Sequence, residues 1–276
     1  MTSGLIYFDG ALQPHKEIKI DPTEPGFLYG AGLLETLRVE DGQPLFLTEH
    51  LDRLINGARQ LGWQLPEKIN LGEAVQATIA ANGVDRGRAR VNLILGTGGY
   101  HFMITAQSGL PYTPEDYTQG YRASIVSIRK NHHSPLSGLK TMNYLENLLA
   151  LAEAQVKGAK EAILLNLEGY LAEGSRSNLF LVRQGILYTP DLASGPLPGL
   201  VRARVLKLAV AAGLPVEEKP LSPAELLAAE EAFLTNSLME VMPLTYVDDR
   251  PLGTGKPGPI TAQLRSLYAL AKRSPR

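Results

Sequence analysis

Residues 109–120 read GLPYTPEDYTQG, two glycines enclosing two prolines with no apolar period between them. Proline fixes φ and removes a backbone donor, and glycine loosens the chain, so this run reads as an interdomain linker over 112–120. Short strands and amphipathic helices alternate on both sides of it. Upstream, residues 5–8 and 17–20 read as strands, and LLETLRVEDGQPLF (33–46) reads as a hairpin turning at Asp41-Gly42. A helix follows from about Thr48, its natural N-cap, with Leu51, Leu54, Ile55, Ala58 and Leu61 at helical spacing. A second helix opens near Asn70 and closes at Gly83, and RARVNLILGTGG (88–99) reads as a strand entering a glycine-rich turn.

Downstream the organisation restarts with a strand over 124–128, a polar loop and a helix over 143–156. Leu145, Leu148, Leu149, Ala152 and Val156 form one stripe of that helix, which reads as core packing. Strands over 162–167, 178–182 and 186–188 precede a helix from about Gly199; a capping box of Ser222, Pro223 and Glu225 starts another. A strand over 232–235 and a helix over 260–271 complete the pattern, which is α+β in two domains, 1–111 and 121–276.

Composition narrows the function. A chain of 276 residues, 44% hydrophobic, with Lys+Arg 27 against Asp+Glu 28 and a net charge of -1, is too apolar and too neutral to be disordered. It carries no basic footprint for nucleic acid or an anionic membrane. With Cys 0, disulfides, iron–sulfur clusters, thiolate zinc sites and a thiol nucleophile are all excluded. Among His 5, the adjacent His132 and His133 would point in different directions and read as a solvated loop, so no metal site is expected. MTSGLIYFDG lacks a basic stretch with an apolar core behind it, and no apolar run approaches the ~20 residues that span a bilayer; a cytoplasmic protein is expected. Difficult chemistry then falls to acids, bases, Lys, Arg or a borrowed organic cofactor.

Three stretches offer such chemistry. In PLPGLVRARV (196–205) a Pro-Gly turn runs into a helix, leaving the Gly199, Leu200 and Val201 amides as donors at a positive dipole end, suited to phosphate. The alternative is an ordinary helix start. In EGYLAEGSRSNLF (168–180), Glu173 precedes an apolar strand, where a carboxylate needs a cationic partner unless it lies in an exposed turn. In LKTMNYLENLLA (139–150), Lys140 enters an apolar helix; a poorly solvated lysine there is nucleophilic, whereas a solvated one is ordinary.

Taken in order, GFLYGAGLLETLRV (26–39), EHLDRL (49–54), LKTMNYLENLLALAEA (139–154), AEGSRSNLFLV (172–182), PLPGLVRARV and FLTNSLMEVMPL (233–244) resemble the fold type IV pyridoxal-phosphate enzymes. These include branched-chain aminotransferases, D-amino acid aminotransferases and 4-amino-4-deoxychorismate lyases. The resemblance implies a smaller N-terminal α/β sandwich, a larger C-terminal β-barrel-like domain with helices, and pyridoxal 5'-phosphate as cofactor. It makes Lys140 the Schiff-base lysine and proton shuttle, and Glu173 the acid facing the pyridine nitrogen. Arg53, the Leu200 and Val201 amides beside Gly199, and Ser237 would hold the phosphate. Leu197 would pack on the ring, with Tyr144 beside the lysine. Tyr29, Leu34, Arg38, Arg90 and Leu238 would surround the substrate, the arginines facing its carboxylate unless they are outward strand charges. Val201 departs from the threonine of many branched-chain enzymes, and Leu34 from a common aromatic residue.

The reaction implied is transfer of an amino group between an amino acid and a 2-oxo acid, by a homodimer. The alternatives are an aminodeoxychorismate lyase releasing pyruvate and 4-aminobenzoate, and a D-amino acid aminotransferase, although RARVNLILG lacks the RxH signature of the latter. A non-catalytic relative is the remaining reading, opposed by the presence of both Lys140 and Glu173.

Overall fold

The hairpin over 33–46 is fixed by Asp41 and Gly42, whose φ values of 51° and 69° are the left-handed pair that a two-residue turn of this twist requires. The computed structural model, which describes residues 4–65 and 70–272, builds the first sheet around that hairpin. Its strands are β1 (Leu5–Phe8), β2 (Ala11–Pro14), β3 (Gly32–Glu40), β4 (Gln43–Pro44), β5 (Gly87–Gly96) and β6 (Gly99–Ser108). They pair antiparallel in the order β2-β1-β6-β5-β3-β4. Helices α1 (Pro25–Tyr29), α2 (Leu47–Gln60) and α3 (Leu71–Ala81) accompany it. Leu33, Leu37 and Val39 of β3 share one core with Leu54 and Ala58 of α2 and Val75 and Ile79 of α3. At about 1.5–3 kcal/mol for each buried Leu or Ile side chain, this core outweighs any single cap.

The chain divides into two compact units, Met1–Pro111 with Leu139–Tyr144, and Tyr112–Gly138 with Leu145–Arg276. The second unit contains α4 (Pro114–Gln119), β7 (Tyr121–Lys130), α5 (Leu145–Val156), β8 (Glu161–Asn166), β9 (Leu171–Gly174), β10 (Asn178–Arg183) and β11 (Ile186–Pro190). It continues through α6 (Leu200–Ala211), β12 (Val216–Lys219), α7 (Pro223–Leu227), β13 (Glu231–Asn236), β14 (Glu240–Val247), β15 (Arg250–Pro251) and α8 (Pro259–Ala271). The sheet runs β12-β11-β10-β13-β14-β7-β8-β9. A bond from Leu171 N in β9 to Leu221 O, just past β12, at 2.7 Å joins its two ends, giving the barrel-like form. Among the described residues no helix is long and apolar enough to cross a membrane.

Several local expectations change. The strand expected over 17–20 is displaced upstream to β2, followed by a single 3-10 turn over His15–Glu17. Thr48 lies inside α2, whose N-cap is Phe46 at φ 56° with no side-chain cap. Residues 112–120 carry α4, opened by a capping box in which Thr113 and Asp116 bond each other's backbone. The segment holding Lys140 groups with the first unit rather than with the residues that follow it. On α5 the stripe Leu145, Leu148, Leu149 and Val156 is exposed, and the buried residues are Ala150, Leu151 and Ala154. Ala150 and Ala154 pack with Val126 of β7 and with Ala162 and Leu164 of β8, because only methyl side chains let the helix lie that close to the sheet.

Candidate active site

Lys140 is positioned by backbone. Its carbonyl accepts from Leu34 N at 2.9 Å, Met142 N donates to Gly32 O at 2.8 Å, and Thr141 bridges Leu33, so residues 140–142 extend along the edge of β3. Gly32 is required there, since a Cβ would approach Met142 Sδ to 2.4 Å and Leu93 O to 2.7 Å. Behind this edge, Glu35 is buried on the core face of β3, and two residues of α2 converge on it. Arg53 Nε donates to Glu35 Oε1 at 2.6 Å and Arg53 Nη2 to Oε2 at 2.7 Å, while His50 Nδ1 lies 2.6 Å from Oε2. Burial pushes the Glu35 carboxyl up, but Arg53 and His50 outweigh it and hold the pKa at about 2. Burial lowers the His50 pKa; the Glu35 contact opposes this, and the Arg53 and Lys140 charges reinforce it. The ring is therefore neutral near pH 7, with its Nδ1–H donated to Glu35.

The opposite face of the same sheet holds three of the expected substrate residues, Leu34, Arg38 and Arg90. Thr36 of β3 faces Arg90, and Arg38 faces Arg88, across the β3–β5 ladder. Arg38 is buried and donates to Glu40 Oε1 at 2.7 Å, so its charge is already engaged. Burial, then the neighbouring Arg88, lower the Arg90 pKa, and Tyr144 opposes them, which places Tyr144 within electrostatic reach of Arg90. Leu34 is half-buried and Tyr29 is 71% exposed at the end of α1. In this unit Lys140, Tyr144, Arg53, Leu34 and Arg90 are thus carried by one sheet, its helix and the segment bonded to its edge.

In the second unit, Glu173 of β9 is 6% exposed. Its Oε1 accepts from Lys130 Nζ at the end of β7, and its Oε2 accepts from Leu197 N at 2.8 Å. Asn178 Nδ2 in turn donates to Leu197 O at 2.8 Å, fixing the turn that leads into α6. Helix α6 starts after Gly199 with no side-chain cap, and a Cβ on Gly199 would meet Asn178 Oδ1 at 1.9 Å. Val201 is buried in the first turn. Thr235 is the register partner of Asn178, on the same face of the sheet, and its Oγ1 is buried with no partner among the described residues. Ser237 and Leu238 follow in the turn after β13, where Asn236 Oδ1 accepts from Leu238 N at 2.9 Å. Glu173, Leu197, Gly199, Leu200 and Val201 are therefore brought together by one chain of hydrogen bonds and one helix start.

Sequence reasoning missed Glu35, His50, Lys130 and Asn178. Glu35 carried a legible signal, a charged residue among the apolar alternation of β3; Lys130 and Asn178 become meaningful only when the barrel brings β7, β9 and β10 together.

Residues 32–247 match the model of the family described as amino-transferase class IV. A branched-chain-amino-acid aminotransferase of Pseudomonas aeruginosa is 32% identical over 96% of this chain and 92% of its own. An aminodeoxychorismate lyase of Bacillus subtilis is 31% identical over 96% of this chain and 93% of its own. Among solved structures, the T.th. branched-chain amino acid aminotransferase with pyridoxamine 5'-phosphate superposes with a TM-score of 0.93 at 31% identity, covering 100% of this chain and 96% of that one.

Proposed function

The chain belongs to the class IV aminotransferases, pyridoxal-phosphate-dependent transaminases, and from that membership we propose that it exchanges an amino group between a branched-chain or closely related amino acid and a 2-oxo acid. The observation that carries this reading is Glu173, a carboxylate in an apolar layer whose two oxygens are held by an ammonium and a backbone amide at the approach to an uncapped helix. Such an acid suits a pyridine nitrogen, and the uncapped amides with the unpartnered Thr235 hydroxyl suit a phosphate. The donor set therefore fits pyridoxal 5'-phosphate.

When bound, that cofactor supplies an electron sink for the electron pair left on the substrate α-carbon after proton removal. In our reading Lys140 Nζ would hold the cofactor and, once released from it, would take up and return the proton of the substrate α-carbon. Glu173 keeps the ring nitrogen protonated, and Lys130 and Leu197 N fix the carboxylate for that task. The Leu200 and Val201 amides after Gly199, with Ser237 and Arg53, would hold the phosphate. Leu197 packs on the ring, Tyr144 flanks Lys140, and Arg90 receives the substrate carboxylate. Arg38, neutralised by Glu40, positions the strand, while Leu34, Tyr29 and Leu238 shape the pocket. Glu173→Gln is expected to lower kcat by roughly 10²-fold and to change the visible spectrum of the bound cofactor, both read on the purified variant.

The lyase reading draws on the 31% identity to the Bacillus subtilis enzyme. Incubation with aminodeoxychorismate and no oxo acid separates the two. The aminotransferase reading predicts no pyruvate, and turnover only when an amino donor and an oxo-acid acceptor are both present. Acceptor-independent pyruvate release would overturn it in favour of the lyase.

We also propose a homodimer. Leu145, Leu148, Leu149 and Val156 expose 52–90% of their surface along α5, an apolar stripe of the kind that marks a protein interface. Sedimentation is expected to give twice the 29.9 kDa chain mass, and Leu148→Glu with Leu149→Glu to give the single mass. A wild-type protein at the single mass would contradict it.

A further inference from the structure

One cluster in the second unit takes no part in the proposed reaction yet brings three metal-ligating side chains to a point. The ligand atoms of His132, His133 and Glu168 lie within 4.8 Å of one another. We propose that these residues form a binding site for a divalent transition-metal cation of zinc type, with solvent completing its coordination.

The separations carry the proposal. His132 Nε2 lies 3.4 Å, and His133 Nε2 3.9 Å, from Glu168 Oε1. Both are longer than the roughly 2.7–2.9 Å of a charge-assisted hydrogen bond. Ligands at about 2.0–2.2 Å from a tetrahedral cation stand roughly 3.4 Å apart, so this long His132–Glu168 contact leaves the spacing that one shared ion requires. The two imidazole rings lie 3.9 Å apart between centroids with a tilt of 39°, close enough for both to offer a ring nitrogen to one ion. A nitrogen and oxygen set without sulfur selects zinc, nickel or copper over softer ions.

The site is built rather than draped. The His132 side chain is 5% exposed and packs where Gly195 leaves room, since a Cβ on Gly195 would come within 2.6 Å of His132 Cβ. No hydrogen-bond partner among the described residues meets the buried His132 Nδ1, and the other ring nitrogen, Nε2, is the one directed at Glu168. Asn131 Oδ1 accepts from His133 N at 3.1 Å. Asn166 Oδ1 accepts from Glu168 N at 3.1 Å and Tyr170 N at 2.9 Å. Both ligand-bearing turns are thus fixed before an ion arrives, which lowers the entropy cost of binding. Elsewhere in this cysteine-free chain, His50 and His101 are already bonded to Glu35 and Asp9, so they are poor competitors. An ion here would tie the turn after Lys130 to the turn before β9, the two segments that carry the Lys130–Glu173 pair.

The test is titration of the holoenzyme, freed of metal by a chelating resin, with Zn²⁺ in competition with a chromophoric chelator, repeated for His133→Ala and Glu168→Ala. Both substitutions are at exposed side chains. One equivalent of Zn²⁺ per chain is expected for the wild type, with affinity at least about ten-fold weaker in each variant. Turnover of the metal-free variants should equal that of the metal-free wild type. Absence of stoichiometric binding to the wild type, or unchanged affinity in either variant, would overturn the site.

Discussion

Replacing Lys140 with alanine is expected to lower turnover at least about 10⁴-fold, because one side chain carries both covalent and proton-transfer roles. The loss should appear in kcat, since Arg90, assigned to the substrate carboxylate, is untouched. The visible spectrum should also change, and bound cofactor should wash out during gel filtration. Lys140 has this weight because its place does not depend on its own side chain: the bonds from Leu34 N to Lys140 O and from Met142 N to Gly32 O hold residues 140–142 on β3. Alanine therefore removes the amine while leaving the backbone path intact. An unchanged spectrum with unchanged turnover would exclude Lys140 from both roles.

Glu35→Gln is expected to cost about 3–5 kcal/mol of stability, measured by urea unfolding at fixed cofactor concentration, since ligand binding adds to apparent stability. The substitution keeps the shape of the side chain but leaves the Arg53 guanidinium, 15% exposed, without its bidentate anion. The effect has a pH signature. The Glu35 pKa is depressed from 4.5 to about 2, so its contribution is fully present above about pH 4.5 and is lost as pH falls toward 2. That displacement corresponds to about 3 kcal/mol. The gap between wild type and variant should therefore close across that acid window, and a constant gap from pH 6 to pH 3 would contradict the ion-pair account.

The sequence discloses most where local chemistry determines local structure. Asp41-Gly42 specifies its turn, Ser222 with Glu225 its capping box, and Asn70 its helix start, because each acts through bonds made within a few residues. It is silent where distant contacts decide. The first turn of α2 is set by packing of Leu47, Leu51 and Leu54 on β3, and Thr48 does not cap it. On α5, two overlapping apolar stripes differ by one position, and periodicity does not distinguish the alanine face that meets the sheet from the leucine face left exposed. The prolines and glycines of 109–120 read as a linker, although Thr113-Pro114 with Asp116 is also a helix start.

The candidate site follows the same division. Lys140, Glu173 and the start of α6 are visible as motifs. The Glu35–Arg53–His50 cluster and the Lys130–Glu173 pair are not, because their members are 15 to 43 residues apart in sequence and meet only through strand register and helix packing.

In our reading Lys140, and no other lysine, bonds the cofactor. The most direct measurement is borohydride reduction of the holoenzyme followed by peptide mapping. Lys130 supplies the internal comparison, since it lies against the same acid that is assigned to the pyridine nitrogen. Cofactor mass is expected on the peptide containing Lys140 and none on the peptide containing Lys130. Cofactor mass on Lys130, or on any lysine other than Lys140, would contradict it.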